Sequence, residues 1–134
     1  MALLADLVFD CSHPASLARF WQAVLDDYTI APYDEAEVAR LAGLGVYDLE
    51  DDPTVLLEPH GPGPRIWFQL VPEAKVAKNR VHLDVSTPDV AAEIARLQAL
   101  GAILATNQPP TGVTLMRDPQ GNEFCVIPQE PSPQ

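Results

Sequence analysis

The sequence predicts an α+β fold in which one βαβββ unit is used twice, and three observations carry that expectation. Strand-like and helix-like runs follow the order strand, helix, strands, and the second half repeats the order. Two of the helix-like runs carry a single apolar stripe, so each needs one sheet face to cover it. Laying the halves on each other also pairs their residues, in either of two registers. One brings Ala18 onto Ile94, Trp21 onto Leu97, Val24 onto Leu100 and Asp6 onto His82, and is favoured by the helix stripe. The other, two residues shorter, brings Asp10 onto Asp84, Ser12 onto Ser86 and Pro14 onto Pro88, and is favoured by the turn residues. In both, each unit covers one face of a sheet with a helix and leaves the other face free to curl around something.

Taken in order, "LLADLVFDC" reads as a strand and "SHP" as a turn. "ASLARFWQAVL" follows as a helix whose stripe is Leu17, Phe20, Trp21, Val24 and Leu25, started by Ser12 or His13 with Pro14 in its first turn. "YDEAEVARLAGLG" predicts a short helix with Asp34 as N-cap, Glu35 and Glu37 in the first turn and glycines at its end. "TVLLEP" and "RIWFQLV" are two strands joined by "HGPGP", a loop stiffened by Pro62 and Pro64. In the strand "RVHLDVS", Val81, Leu83 and Val85 are expected beneath a helix, which turns Arg80, His82 and Asp84 to the other face. The helix in "TPDVAAEIARLQALG" has the stripe Val90, Ile94, Leu97 and Leu100, with Gly101 as its C-cap. "AILA", "VTLMRD" and "EFCVIP" complete the strands, and the tail "QEPSPQ" is expected to fray.

Composition narrows the partners. A chain of 134 residues suits one domain, or two small modules sharing a core, and needs neither disulfide nor metal to fold. The net charge of −11 would repel phosphate backbones and anionic lipid, so no nucleic acid or membrane surface is expected as a partner. Apolar runs are far too short to span a bilayer, and the N-terminus lacks the basic region of a secretory signal, so a cytoplasmic protein is expected. Cys11 and Cys125 sit in apolar runs and read as small buried hydrophobes, not as a disulfide.

Few residues point to chemistry. Taken alone, the Arg80, His82 and Asp84 face is either the wetted side of an antiparallel strand or the lining of a site, and imidazole is the side chain best suited to moving protons near neutrality. Asp84 could orient the imidazole or pair with Arg80. Trp67 and Phe68 adjoin on one strand and must face opposite ways, so one of them leaves the core. "DPQGNE" carries the residues of a tight turn. His60 reads as a loop histidine and His13 as a helix cap. The run Asp48, Glu50, Asp51 and Asp52 reads as a solvated linker, since the glycine and spacing of a calcium loop are absent.

"LARFW", "FQLVPEAKVAKNRVHLDV" and "RDPQGNEFCVI" together resemble the vicinal oxygen chelate superfamily, in its glyoxalase-like group beside the bleomycin resistance proteins and extradiol dioxygenases. The resemblance runs from about Leu7 to Ile127 and is weakest between Tyr28 and Pro64. It implies a single domain over 1–134, with modules of about 3–72 and 78–128 forming a cupped mixed sheet with helices on its outer face. Metal-using members hold a divalent ion in the cup through His or Gln, Glu, His and Glu, one from each of four strands. Those positions fall here on Asp6, Gln69, His82 and Cys125, of which only His82 is the usual residue. The set mixes hard oxygens, an imidazole and a soft thiol, so no metal cofactor is expected, with a divalent ion as the alternative. The resemblance then implies a protein that binds a small organic molecule in the cup, with lyase or isomerase chemistry in which His82 transfers a proton. Arg80, Asp84, Trp67, Gln69, Asp6 and Cys125 would contact the ligand. The alternatives are a protein that only sequesters a small molecule, in the manner of bleomycin resistance proteins, and a sensor or partner module in which the cup is structural. A homodimer is expected, because a two-fold contact is the commonest cover for exposed sheet edges.

Overall fold

Leu17, Phe20, Trp21 and Val24 line one side of helix α1 (Pro14–Val24), and that side is buried against a four-stranded sheet. Phe9 stands edge-on to both Trp21 and Phe68, at 5.6 and 5.3 Å between ring centroids, so aromatic rings fill this core. The structure is a computed structural model describing residues 1–110 and 112–130, and the chain divides into two units, Met1–Ala74 and Lys75–Gln134. Among the described residues the predicted α+β architecture is present as two mixed four-stranded sheets with three helices. Among the described residues no helix is long and apolar enough to cross a membrane. Most of the tail expected to fray lies outside the described residues.

The first unit runs β1 (Asp6–Cys11), α1, β2 (Tyr28–Ile30), α2 (Glu35–Gly43), a single 3-10 turn (Leu49–Asp51), β3 (Thr54–Pro59) and β4 (Arg65–Leu70). Its sheet order is β1-β4-β3-β2, with β1 parallel to β4 and the other pairs antiparallel. Alternation divides the faces. Val55, Leu57, Ile66 and Phe68 are buried on the helix side, which leaves Thr54, Leu56, Arg65, Trp67 and Gln69 on the open side. The Asp34 carboxylate accepts the Glu37 amide at 2.9 Å, which starts α2 where the sequence predicts.

The second unit runs β5 (Leu83–Thr87), α3 (Val90–Ala99), β6 (Ile103–Leu104), β7 (Thr114–Arg117) and β8 (Glu123–Pro128), ordered β5-β8-β7-β6 with β5 parallel to β8. Leu97, Met116, Phe124 and Val126 form its core. The halves follow the register favoured by the helix stripe. Strand ends Cys11 and Thr87, N-caps His13 and Asp89, and buried Trp21 and Leu97 all correspond in it. Burial fixes a helix's phase, whereas turn residues can be exchanged without moving the core.

Several expectations need correction. Val81 is not under a helix: it is 77% exposed, and β5 begins only at Leu83, where pairing with Phe124 of β8 starts. The alternation continues upstream in sequence after the pairing partner has run out, so Arg80 and His82 precede the strand. Leu100 caps α3 and is 39% exposed, and Gly101 takes the next position at φ +110°, where a side chain would be strained. β2 was not anticipated, and "AILA" contributes only the two exposed residues of β6. The acidic run is not a plain solvated linker. Asp48 caps the 3-10 turn, Glu50 pairs with Arg19, and Asp52 is only 2% exposed.

Candidate functional site

In the second unit the turn Asp118–Asn122 sets β8 in register with β7. The buried Asp118 carboxylate accepts the Gln120 and Asn122 amides and the Asn122 side-chain NH2, and Gly121 supplies φ +89°. β8 then turns Phe124 and Val126 to the core and Glu123 and Cys125 to the open face. Both open-face residues are nevertheless buried. Glu123 explains part of this, because its carboxylate accepts the Asn79 amide at 2.9 Å and Lys75 Nζ at 3.1 Å, pinning the segment before β5 across that face. Burial pushes the Glu123 carboxyl up, yet the Asn79 amide, its own amide and Lys75 outweigh this and hold it below the ordinary value.

Asp84 is the cross-strand partner of Cys125, and His82 precedes it by two residues. The donor atoms of His82, Asp84 and Cys125 all lie within 4.8 Å of one another. His82 Nε2 stands 3.4 Å from Asp84 Oδ1, with the side chains 42% and 50% exposed, so the imidazole sits beside a carboxylate and is open to solvent. That spacing is longer than a formed hydrogen bond, as is common before a ligand arrives. Asp84 therefore partners His82, not Arg80. Burial pushes the Cys125 thiol up and Asp84 adds to it, while Lys78 draws it partly back. At neutral pH Cys125 is a protonated thiol, a weak donor and not a nucleophile.

Beside this cluster, a cavity of about 640 Å³ is lined by Lys75, Lys78, Leu115, Arg117, Gln120 and Glu123, among others. Sequence inspection missed it, because its charged residues come from three separate stretches of chain.

The remaining candidates lie in the first unit. Asp6 is held by Arg65 at 2.7 and 3.2 Å, and the Arg65 guanidinium also lies 5.7 Å from the Trp67 ring centroid. Gln69 is exposed on the open face opposite Asp10, and its backbone carbonyl accepts the Cys11 thiol at 3.6 Å. Trp67 lines a cavity of about 450 Å³ with Tyr33, Arg40, Asp52, Thr54 and Leu56. There the Tyr33 hydroxyl donates to Asp52 at 2.7 Å, and burial followed by that carboxylate pushes the phenol well above its ordinary value. This cavity too was missed, since nothing local in the sequence ties Tyr33 to Asp52. His60 is exposed, and its ring contacts the Thr29 hydroxyl.

The sequence pattern of the glyoxalase-like domain family matches residues 6–127. No protein of curated function matches significantly. Among solved structures, a glyoxalase/bleomycin resistance protein/dioxygenase family enzyme from Burkholderia phytofirmans is similar at 17% identity and TM-score 0.65, over 95% of this chain and 98% of the other. Glyoxalase I from Leishmania major is similar at 10% identity and TM-score 0.58, over 96% and 87%. A mutant fosfomycin resistance protein, FosX from Listeria monocytogenes, solved with Mn(II), is similar at 12% identity and TM-score 0.63, over 95% and 92%. Such identities speak for the fold. The His82, Asp84 and Cys125 donors do not suit Mn(II), which favours oxygen and nitrogen ligands, and the thiol would have to lose a proton that its surroundings retain.

Proposed function

Because the chain belongs to the glyoxalase-like domain family, we propose that it binds a small oxygenated organic molecule on the open face of its second sheet and that His82 moves a proton on it. The observation that carries this is the convergence of His82, Asp84 and Cys125 donor atoms within 4.8 Å. An imidazole beside a carboxylate can serve as a general base, and its exposure leaves it reachable. Cys125 donates weakly or packs against the ligand, and Arg80 is free to meet it. Trp67, Gln69 and Asp6 are a separate candidate surface, on the first unit's own open face. The chain acts as a homodimer, which sedimentation at micromolar concentration tests.

The proton-transfer role is tested by hydrogen–deuterium exchange into a panel of small hydroxy and keto compounds in D2O, followed by proton NMR. The wild type catalyses exchange on at least one of them. His82→Ala keeps its melting temperature, loses roughly 10²–10⁴-fold of the exchange rate, and binds that compound about 1–3 kcal/mol more weakly. Undiminished exchange in His82→Ala overturns the assignment. Binding without exchange in the wild type favours the sequestering alternative.

A further inference from the structure

Carboxylates outnumber cations more than two to one in this chain, 19 Asp and Glu against 8 Lys and Arg, so an unpaired cation is the exception to explain. Arg19, Arg40, Arg65, Lys75 and Arg96 each hold a carboxylate. Among the described residues, Lys78, Arg80 and Arg117 make no ion pair, and all three belong to the second unit. Lys78 and Arg117 line the same cavity of about 640 Å³.

Among the described lining residues the only carboxylate is Glu123, and its charge is already taken by Lys75 and the Asn79 amide. Arg117 is the cross-strand partner of Glu123 yet makes no salt bridge to it, so its guanidinium is left exposed with its donors unspent. Lys78 makes only a long 3.4 Å contact, to the Asn79 carbonyl. Two cations facing one concavity, in a chain with acid to spare, are arranged for an anion that the protein does not itself supply.

We infer that this cavity seats the anionic head of the ligand, a carboxylate or a phosphate-type group, with Arg117 gripping it through two donors and Lys78 closing from the other side. The inference rests on the proposed function only in joining this head to the part of the molecule that meets His82. The spacing allows the join. Leu115 of the cavity wall is the cross-strand partner of Cys125, and Glu123 and Cys125 are two residues apart on one face of β8, roughly 7 Å. Lys78, a lining residue, already acts on the Cys125 thiol.

The test is a titration of the full chain with inorganic phosphate, with acetate and with neutral acetamide, at constant ionic strength, read by amide chemical shifts. Phosphate and acetate are expected to saturate, with shifts centred on Lys78, Arg117 and Gly121, and acetamide to give none. Arg117→Gln and Lys78→Gln, both at exposed positions, each weaken phosphate binding roughly tenfold or more. Arg96→Gln, at a paired cation on α3, leaves it unchanged. Absence of saturation overturns the inference, as do equal losses in Arg96→Gln or folded Arg117→Gln and Lys78→Gln proteins with wild-type affinity. Phosphate saturation without exchange in any compound removes the His82 proposal and leaves the anion seat standing. Equal exchange of charged and neutral compounds by Arg117→Gln and wild type does the reverse.

Discussion

Helices α1 and α3 hold equivalent places in the two units and bury very different amounts. α1 has seven buried residues, from Pro14 to Val24, and its Trp21 lies among aromatic rings. α3 has one, Leu97. The cations contrast in the same direction: among the described residues the first unit pairs each of its arginines with a carboxylate, and the second leaves three cations unpaired. One topology thus serves two purposes. The first unit spends its side chains on packing and mutual neutralisation, and the second keeps polar groups available. That is what a binding site needs at some expense of stability.

Substitution at the equivalent core positions tests the first half of the contrast. Trp21→Ala should cost about 3–5 kcal/mol in urea unfolding. Leu97→Ala should cost less, about 2–3 kcal/mol at the low end for a buried leucine, because few neighbours on α3 share its burial. Equal losses would break the comparison.

Glu123→Gln should cost about 1–3 kcal/mol by leaving Lys75 without a counter-charge and weakening the hold on the Asn79 amide. Its pH dependence sharpens the point. The folded carboxyl lies below its ordinary 4.5, so its stabilising share is complete above that value and is lost as pH falls through the lower folded value. Wild type and Glu123→Gln should therefore converge in stability on acidification. A gap that persists unchanged at pH 3 would show that the carboxylate is not what holds the segment.

The smallest effect concerns Cys125. Its alkylation by iodoacetamide, followed by peptide mass spectrometry, should rise with a midpoint above the ordinary 9.0, move higher still in Lys78→Gln and fall back in Asp84→Asn. A midpoint near neutrality would make the thiol a nucleophile.

Much of the fold was legible because its signals are local. Asp34 before an amphipathic run, Pro14 at a helix start, and Asp118-Pro119 with Gly121 each specify a turn or cap within a few residues. What escaped was set by distance in the chain. β2 is three residues whose strand character comes from pairing with β3, and Val81 continues a pattern whose partner strand has stopped. Asp52 looked solvated until Tyr33 closed over it. His82 and Asp84 stood out because they are neighbours in sequence. Cys125 joined them as a chemical partner, and Glu123, Lys75 and Arg117 became one constellation, only through pairing of β5, β7 and β8.

The parallel pairing of β1 with β4 and of β5 with β8 has a consequence for the order in which the protein can be made. In each unit the first strand waits for the last, Asp6 for Arg65 and Leu83 for Phe124. A nascent chain emerging at about 5–20 residues per second therefore carries β1 unpaired for seconds. When translation has reached β7, the place between β5 and β7 is still vacant. In each unit the late arrival of the last strand delays the reward from its contacts, since non-local closure must come first. It also leaves an open edge for that interval, which a chaperone or a second nascent chain can meet first.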